Sequence, residues 1–276
     1  MTEQKTQHVD VKEIFHKKNP GLAKLIPGFV YRYLRRIIHQ DYTNWFLDKH
    51  GHKKGIDFAR AGIEEFNVSI EVTGSKNIPD KGRFVFASNH SLGGFDGLIL
   101  LSEVNKHFPN VKFLVNDILM NIKNLQPVFL PINKHGKQGI EAAREIENAY
   151  ASDMQILTFP AGLVSRKIKG RIVDLEWKKN FIVKAKKHKR DVIPVHVSGS
   201  NTNFFYNLAN LRKYLGIKAN IEMLYLADET YKHRNKHIRV KFGKPIPYTT
   251  FDNSKTPSEW AYYVKQKAYA LNDEKI

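Results

Sequence analysis

A histidine stands at position 90, just past the apolar run Phe84-Val85-Phe86-Ala87-Ser88-Asn89, and an aspartate follows at position 96. Ser91, Leu92, Gly93, Gly94 and Phe95 separate them, and an apolar helical pattern begins at Leu98. A neutral imidazole beside a carboxylate is a general base with its orienting partner. Gly93 and Gly94 permit the tight loop that folds Asp96 back onto the ring. Such a pair suits removal of a proton from a hydroxyl. Each residue also has a plainer role. A histidine ending a strand is often just hydrogen-bonded, and an aspartate ahead of an apolar helix is a good N-cap. Their joint place at the carboxyl end of a strand, where open α/β sheets bind ligands, favours chemistry.

Three further segments accompany this one. Residues 155–159 read as a strand that runs into Phe159-Pro160-Ala161-Gly162, a turn. Leu163, Val164, Ser165 and Arg166 follow, then Lys167, Lys169 and Arg171. A turn at a strand end with cations after it can hold an anionic group; a basic surface loop is the alternative. Residues 127–132 form another strand, ending in Asn133 and Lys134. Val192-Ile193-Pro194-Val195 reads as a buried strand.

The elements that must position these residues follow from patterning. Residues 1–11 are polar and expected to fray. Residues 12–66 read as helical, with breaks near Pro20, Pro27 and positions 51–55. Within them Phe29, Tyr33, Ile37 and Val30, Leu34, Ile38 recur at helical spacing among arginines. Two readings stand open: a core helix with a basic solvent face, or an interfacial helix with its apolar side in lipid and its arginines on anionic headgroups. From residue 68 short apolar strands at 68–73, 83–88, 112–115, 127–132, 155–159, 192–197, 221–227 and 238–242 alternate with helices at 97–108, 137–151, 178–189 and 203–214. That alternation predicts an α/β fold with a mixed, mainly buried sheet flanked by helices. The expected division is an N-terminal helical region over residues 1–66, membrane-facing on the second of those readings, and an α/β domain over 67–276.

Composition narrows the partners. Lys+Arg 45 against Asp+Glu 27 leaves a net charge of +18. That excess calls for nucleic acid, an anionic membrane face or an acidic carrier protein. Seven Lys and Arg from Trp177 through Arg190 surround a thin apolar stripe; they make a solvated face or a docking face for anionic lipid or an acidic carrier protein. Residues 203–215 offer aromatic and basic side chains, with core packing the default. There is no cysteine, which excludes thiolate chemistry. The N-terminal residues carry no signal-peptide pattern, and no window approaches the ~18–20 apolar residues of a membrane span. His135 and His196 lack ligand spacing, so no metal is expected.

In this order the four segments resemble the glycerolipid acyltransferase family, the lysophospholipid acyltransferases of the bacterial phosphatidic-acid-synthesising type. The resemblance covers roughly residues 65–250. It implies His90 and Asp96 as the catalytic pair. It implies Asn89, Gly93, Gly94, Asn133, Lys134, Phe159, Pro160, Ala161, Gly162, Ser165 and Arg166 as substrate-binding residues. Departures matter. Five residues separate His90 from Asp96 where the family has four. Ala161 stands where the family has Glu, Val164 where it has Arg, and Asn133-Lys134 where a phosphate-binding Arg is usual. These changes look like the hemolysin-like branch, whose members include O-acyltransferases that complete ornithine and glycine lipids. The implied reaction moves a fatty acyl group from acyl carrier protein or CoA thioester to the hydroxyl of a lyso-aminolipid, with lysophosphatidic acid as the alternative acceptor. It needs no metal or organic cofactor, and backbone N–H groups near Gly162 are the expected oxyanion hole. The expected place is the cytoplasmic face of a membrane, bound peripherally, with no nucleic-acid partner. A non-enzymatic basic binding protein would leave the His90/Asp96 pair unexplained.

Overall fold

The computed structural model describes residues 8–132 and 136–273. Five helices come first: α1 (Val11–Lys18), α2 (Pro20–Leu25), α3 (Gly28–Ile37), α4 (Gln40–His50) and α5 (Gly55–Glu65). The breaks fall at Pro20, Pro27 and Gly51–Gly55, as proline and glycine dictate. His39, between α3 and α4, is forced to φ 50°. It is held there by Asp228, 2.8 Å from its Nε2, and by stacking on Tyr231 at 3.8 Å.

The rest of the chain is built on a seven-stranded sheet: β1 (Ser69–Thr73), β2 (Phe84–Ser88), β3 (Val111–Asn116), β4 (Phe129–Ile132), β5 (Gln155–Thr158), β8 (Asp191–Val197) and β9 (His237–Phe242), with β6 (Arg166–Ile168) and β7 (Arg171–Val173) forming a separate hairpin. The order across the sheet is β1-β9-β8-β2-β5-β3-β4. Every neighbouring pair is parallel except β8 and β9. The sheet is thus mixed and mainly parallel, as alternating strands and helices require.

β2 lies between β8 and β5, and all five of its residues are buried. Helices cover both faces, which is why its sequence runs apolar without alternation. Phe84 and Phe86 face a core shared with Phe58 and Ile63 of α5 and with Phe95 and Ile99 of α6 (Gly94–Asn105). Val85 and Ala87 face a second core. It is filled by Phe181 and Ile182 of α8 (Asn180–Lys187), Trp260 and Val264 of α11 (Pro257–Asp273) and Tyr150 of α7 (Gly136–Ala151). At the start of β2 the Phe84 N–H donates to Gln155 Oε1 at 2.7 Å.

The basic run at 177–190 is largely engaged. Arg190 is wholly buried and donates to the carbonyls of Tyr150 and Met154, each at 2.7 Å, to Ala149 at 3.0 Å and to Ser152. It thereby serves the open C-terminus of α7. Burial lowers its pKa to about 10. Lys184 and Lys187 pair with Glu147.

The strand expected at 221–227 is not one. Ile221–Tyr225 is a 3-10 turn that leads into α10 (Leu226–Tyr231). Its Glu222 is buried against two arginines, and the segment joins neither sheet. α9 (Asn203–Tyr214) forms where expected. No helix among the described residues is long and apolar enough to cross a membrane.

Candidate active site

The parallel strands end on one edge of the sheet, and the chemistry-bearing residues gather there. His90 lies two residues beyond β2, Phe159 follows β5, and Val197 closes β8. Asn133 and Lys134, which follow β4, lie outside the described residues.

Asn89 makes the turn possible. Its side-chain Oδ1 accepts from the Val197 N–H at 2.8 Å and its Nδ2 donates to the Val197 carbonyl at 2.9 Å. A side-chain amide therefore replaces one peptide group between β2 and β8. It is buried, and both polar atoms of its side chain are engaged in this positioning role.

The loop after His90 rises through Gly93, whose φ of 73° and ψ of −130° lie in a region only glycine enters readily. Gly93 caps α6 without a side-chain bond. Asp96 occupies the first turn and reaches backward. Its Oδ2 accepts the Leu92 N–H at 3.0 Å, and Oδ1 accepts the Gly97 N–H at 2.9 Å. His90 Nδ1 lies 3.0 Å from Oδ2 and 3.2 Å from Oδ1. Asp96 thus serves the helix terminus and the imidazole together. Its carboxylate only accepts, so Nδ1 carries the proton and Nε2 is left as the basic nitrogen. Asp96 is fully buried, whereas 16% of the His90 side chain remains exposed. The imidazole lies on the ring of Phe159, 4.1 Å between centroids and 12° from parallel.

The main chain of His90 is fixed by the segment after β5. Its carbonyl accepts the Ser165 N–H at 2.7 Å. Its N–H donates to Asp174 Oδ1 at 3.2 Å. Asp174 also takes the Ser165 hydroxyl at 2.5 Å and the Trp177 indole N–H at 2.8 Å. Its own N–H donates to Tyr269 Oη, and Lys265 donates to its carbonyl, both at 2.7 Å. Burial and the charge of Asp174 push the Tyr269 phenol up; burial pushes the Lys265 ammonium down. Asp174, Trp177, Lys265 and Tyr269 carry no motif that singles them out, and sequence patterning misses them.

The remaining expected residues divide. Ala161 is buried in the second core, and Val164 packs on Phe205 and Tyr206. The two positions where the resembling family carries charge are therefore apolar filling. The Gly162 N–H donates to Phe159 O at 3.0 Å, so it is already spent as an oxyanion donor. Gly94 is exposed, and a Cβ there would meet nothing within 4 Å. Pro160 accepts the Lys178 N–H at 3.0 Å. The Lys178 ammonium hangs over the turn, 3.4 Å from where a Gly162 Cβ would stand. Arg166 is buried: it donates to Glu222 Oε1 at 3.1 Å and to the Val164 carbonyl at 2.6 Å. Arg212 takes the other oxygen of Glu222 at 2.8 Å. Burial lowers the pKa of Arg166 against the raising effect of Glu222. A cleft of about 680 Å³ opens at the opposite edge of the sheet, around Lys81, Arg83 and Asp191, away from these groups.

A base held by a buried carboxylate at the carboxyl edge of a mainly parallel sheet, with a strand-turn segment clamping its main chain, fits an acyl-transfer enzyme. The chain belongs to the acyltransferase family: residues 13–275 match the family model described as Acyltransferase. Two relatives run its whole length. A lyso-glycine lipid O-acyltransferase of Bacteroides thetaiotaomicron is 51% identical over 272 residues, covering 98% of this chain and 100% of the relative. One of the same name from Phocaeicola vulgatus is 47% identical, covering 98% of each. Among solved structures, the 1-acyl-sn-glycerophosphate (LPA) acyltransferase PlsC of Thermotoga maritima is similar at 16% identity and a TM-score of 0.48, over 90% of this chain and 95% of that one.

Proposed function

We propose that this acyltransferase moves a fatty acyl group from a thioester of acyl carrier protein or CoA to the hydroxyl of a lyso-glycine lipid. The relatives that run the length of the chain carry that activity in their names. The observation that carries the choice of acceptor is the state of Arg166. Its guanidinium is buried on Glu222, and Ala161 and Val164 are core residues. Residues 159–166 therefore offer no free arginine to a phosphate.

His90 Nε2 takes the proton of the acceptor hydroxyl as its oxygen attacks the thioester carbonyl. Asp96 stabilises the imidazolium without taking the proton. The C–O bond forms, the C–S bond breaks, and the imidazolium returns the proton to the departing sulfur. The face of Phe159 fixes the ring plane and favours the transient cation. The thioester is a co-substrate, and the scheme uses no metal or organic cofactor. A glycine lipid presents a carboxylate, and Lys178, exposed over the Gly162 turn, is the cation that meets it. Residues 1–66 are the membrane-facing part and 67–276 the catalytic part of a protein seated peripherally on the cytoplasmic face, where acyl thioesters are supplied.

Purified enzyme offered lyso-glycine lipid and lysophosphatidic acid side by side tests the acceptor. Preference for the glycine lipid, with a KM that rises about tenfold in Lys178→Met, is the expected result. Preference for lysophosphatidic acid overturns it.

A further inference from the structure

Much of the outer face of α9 is exposed among the described residues. Phe205, Tyr206 and Ala209 point inward and are buried. At 3.6 residues per turn, Phe204, Leu208, Leu211 and Leu215 fall within an arc of about 60° on a different face. Leu211 is 53% and Leu215 59% exposed. A helix apolar on two faces buries one in its own core and keeps the other for something outside it.

This stripe does not stand alone. The Phe204 ring meets Tyr225 edge-on at 4.9 Å, and the Tyr225 hydroxyl lies 2.6 Å from that of Tyr33 on α3. One turn earlier on α3 is Phe29, 64% exposed. Leu224, beside Tyr225, is 55% exposed. Two elements nearly two hundred residues apart (|i−j| = 192 for Tyr33 and Tyr225) thus form one apolar surface. Cations rim it. Arg32 and Arg36 share the outward face of α3 with Phe29 and Tyr33, and Lys213 and Lys218 flank the far end of α9. None of these four has a carboxylate within 4 Å among the described residues. Arg32, Arg35 and Arg36 also line a cleft of about 380 Å³ with His39 and Tyr42.

We propose that α9 and the 3-10 turn at Ile221–Tyr225 are a second bilayer-docking element, joined to α3 through Tyr33 and Tyr225, and that the occupant of this surface is an anionic bilayer. The inference rests on the reading of the acceptor as a membrane lipid. Apolar side chains ringed by arginine and lysine match the acyl boundary and the headgroups of such a surface. The position of the next residue adds a reason. Leu226 lies against Gly93, where a Cβ would stand 3.2 Å from its Cδ2. The surface therefore borders the loop that carries His90, and a lipid acceptor would enter from the bilayer side.

The test uses the full chain and phosphatidylcholine vesicles with and without phosphatidylglycerol. Combining Phe204→Ser, Leu211→Ser and Leu215→Ser is expected to weaken vesicle binding about tenfold or more. Its melting temperature and its turnover of a short-chain, water-soluble acceptor should stay at the wild-type level. Arg32→Gln with Arg36→Gln is expected to lose about fivefold per charge on phosphatidylglycerol vesicles only. Wild-type vesicle binding by the triple variant overturns the proposal. So does a triple variant that loses a concentration-dependent dimer while binding vesicles normally, which would make the face a contact between copies. A wild-type enzyme that binds vesicles through this surface yet ignores lyso-glycine lipid would instead defeat the acceptor assignment and leave the surface standing.

Discussion

Asp174 accepts the backbone N–H of His90 at 3.2 Å. The ring of the same histidine ends on Asp96 at 3.0 Å. One carboxylate therefore sets where the residue sits and the other sets which nitrogen is basic. Asp174→Asn replaces an all-acceptor group with one that offers a single oxygen to three donors. Stability should fall by about 2–4 kcal/mol, and kcat by about ten- to a hundredfold with KM within about twofold. Tyr269→Phe, which strips the acceptor of the Asp174 N–H together with the hydroxyl's contacts to the Ser165 and Asp174 side chains, should cost about 1–2 kcal/mol. Steady-state kinetics beside denaturant unfolding separate the two effects.

His90→Ala should lower kcat by about a hundred- to ten-thousandfold while leaving the far-ultraviolet circular dichroism unchanged, because the ring is partly exposed. Asp96→Asn should lose a similar factor by disturbing the tautomer. Unlike His90→Ala it should also lower the melting temperature, since the carboxylate anchors the N–H groups of Leu92 and Gly97.

The two glycines of the loop should behave oppositely. Gly93→Ala forces a side chain to φ 73° and toward Leu226, costing about 1–3 kcal/mol. Gly94→Ala places its methyl in open space and should leave the melting temperature unchanged. Any loss of kcat/KM in that variant then reports contact with substrate.

Arg166 and Glu222 give a test of charge burial. Glu222→Gln leaves two arginines facing each other in the interior and should cost about 3–5 kcal/mol. Arg166→Met leaves Glu222 paired with Arg212 and should cost less, about 1–3 kcal/mol. The KM for the acceptor should stay within about twofold. A large rise in that KM would show that Arg166 reaches substrate after all.

His233 is buried behind Phe95, 6.1 Å between ring centroids. Burial holds its pKa below the ordinary 6.5, against the raising charges of Asp96 and Glu229 and with the lowering charge of Lys236. The unfolded chain therefore binds the proton first as pH falls. The stability His233 allows is complete above about 6.5 and declines from there toward its folded pKa, by at most about 1.4 kcal/mol per pH unit. His188, also lowered, chiefly by burial, adds in the same direction. Urea midpoints followed through pH 6.5 should show a shallower decline in His233→Gln than in the wild-type chain.

Much of this was legible in the residues. The apolar run of β2, the break at Asn-His and the glycine-rich loop announce a strand end with a base on it, because strand burial and loop geometry are local properties. The turn at Phe159–Gly162 announces itself the same way. Residue 174 does not: it lies 84 positions from His90, and its partners Trp177, Lys265 and Tyr269 meet only once α11 has packed on the sheet. The stretch at 221–227 misleads because Ile221 and Met223–Ala227 make a short apolar run, and periodicity alone does not separate a buried strand from a helix in so short a segment. Arg166 reads from sequence as a cation held out for an anionic group, and only the position of Glu222 shows where its charge goes.

Asn89 carries a further consequence. Most rungs between strands are peptide groups, which change little with the residue unless it is proline. The last rung between β2 and β8 is a side chain and is encoded. A change of one codon there, to aspartate, would exchange a donor for an acceptor facing the Val197 carbonyl and loosen the sheet at the residue next to the base. The catalytic edge of this enzyme thus hangs on an encoded rung, and a change at that one position can retune the placement of His90 without touching the groups that react.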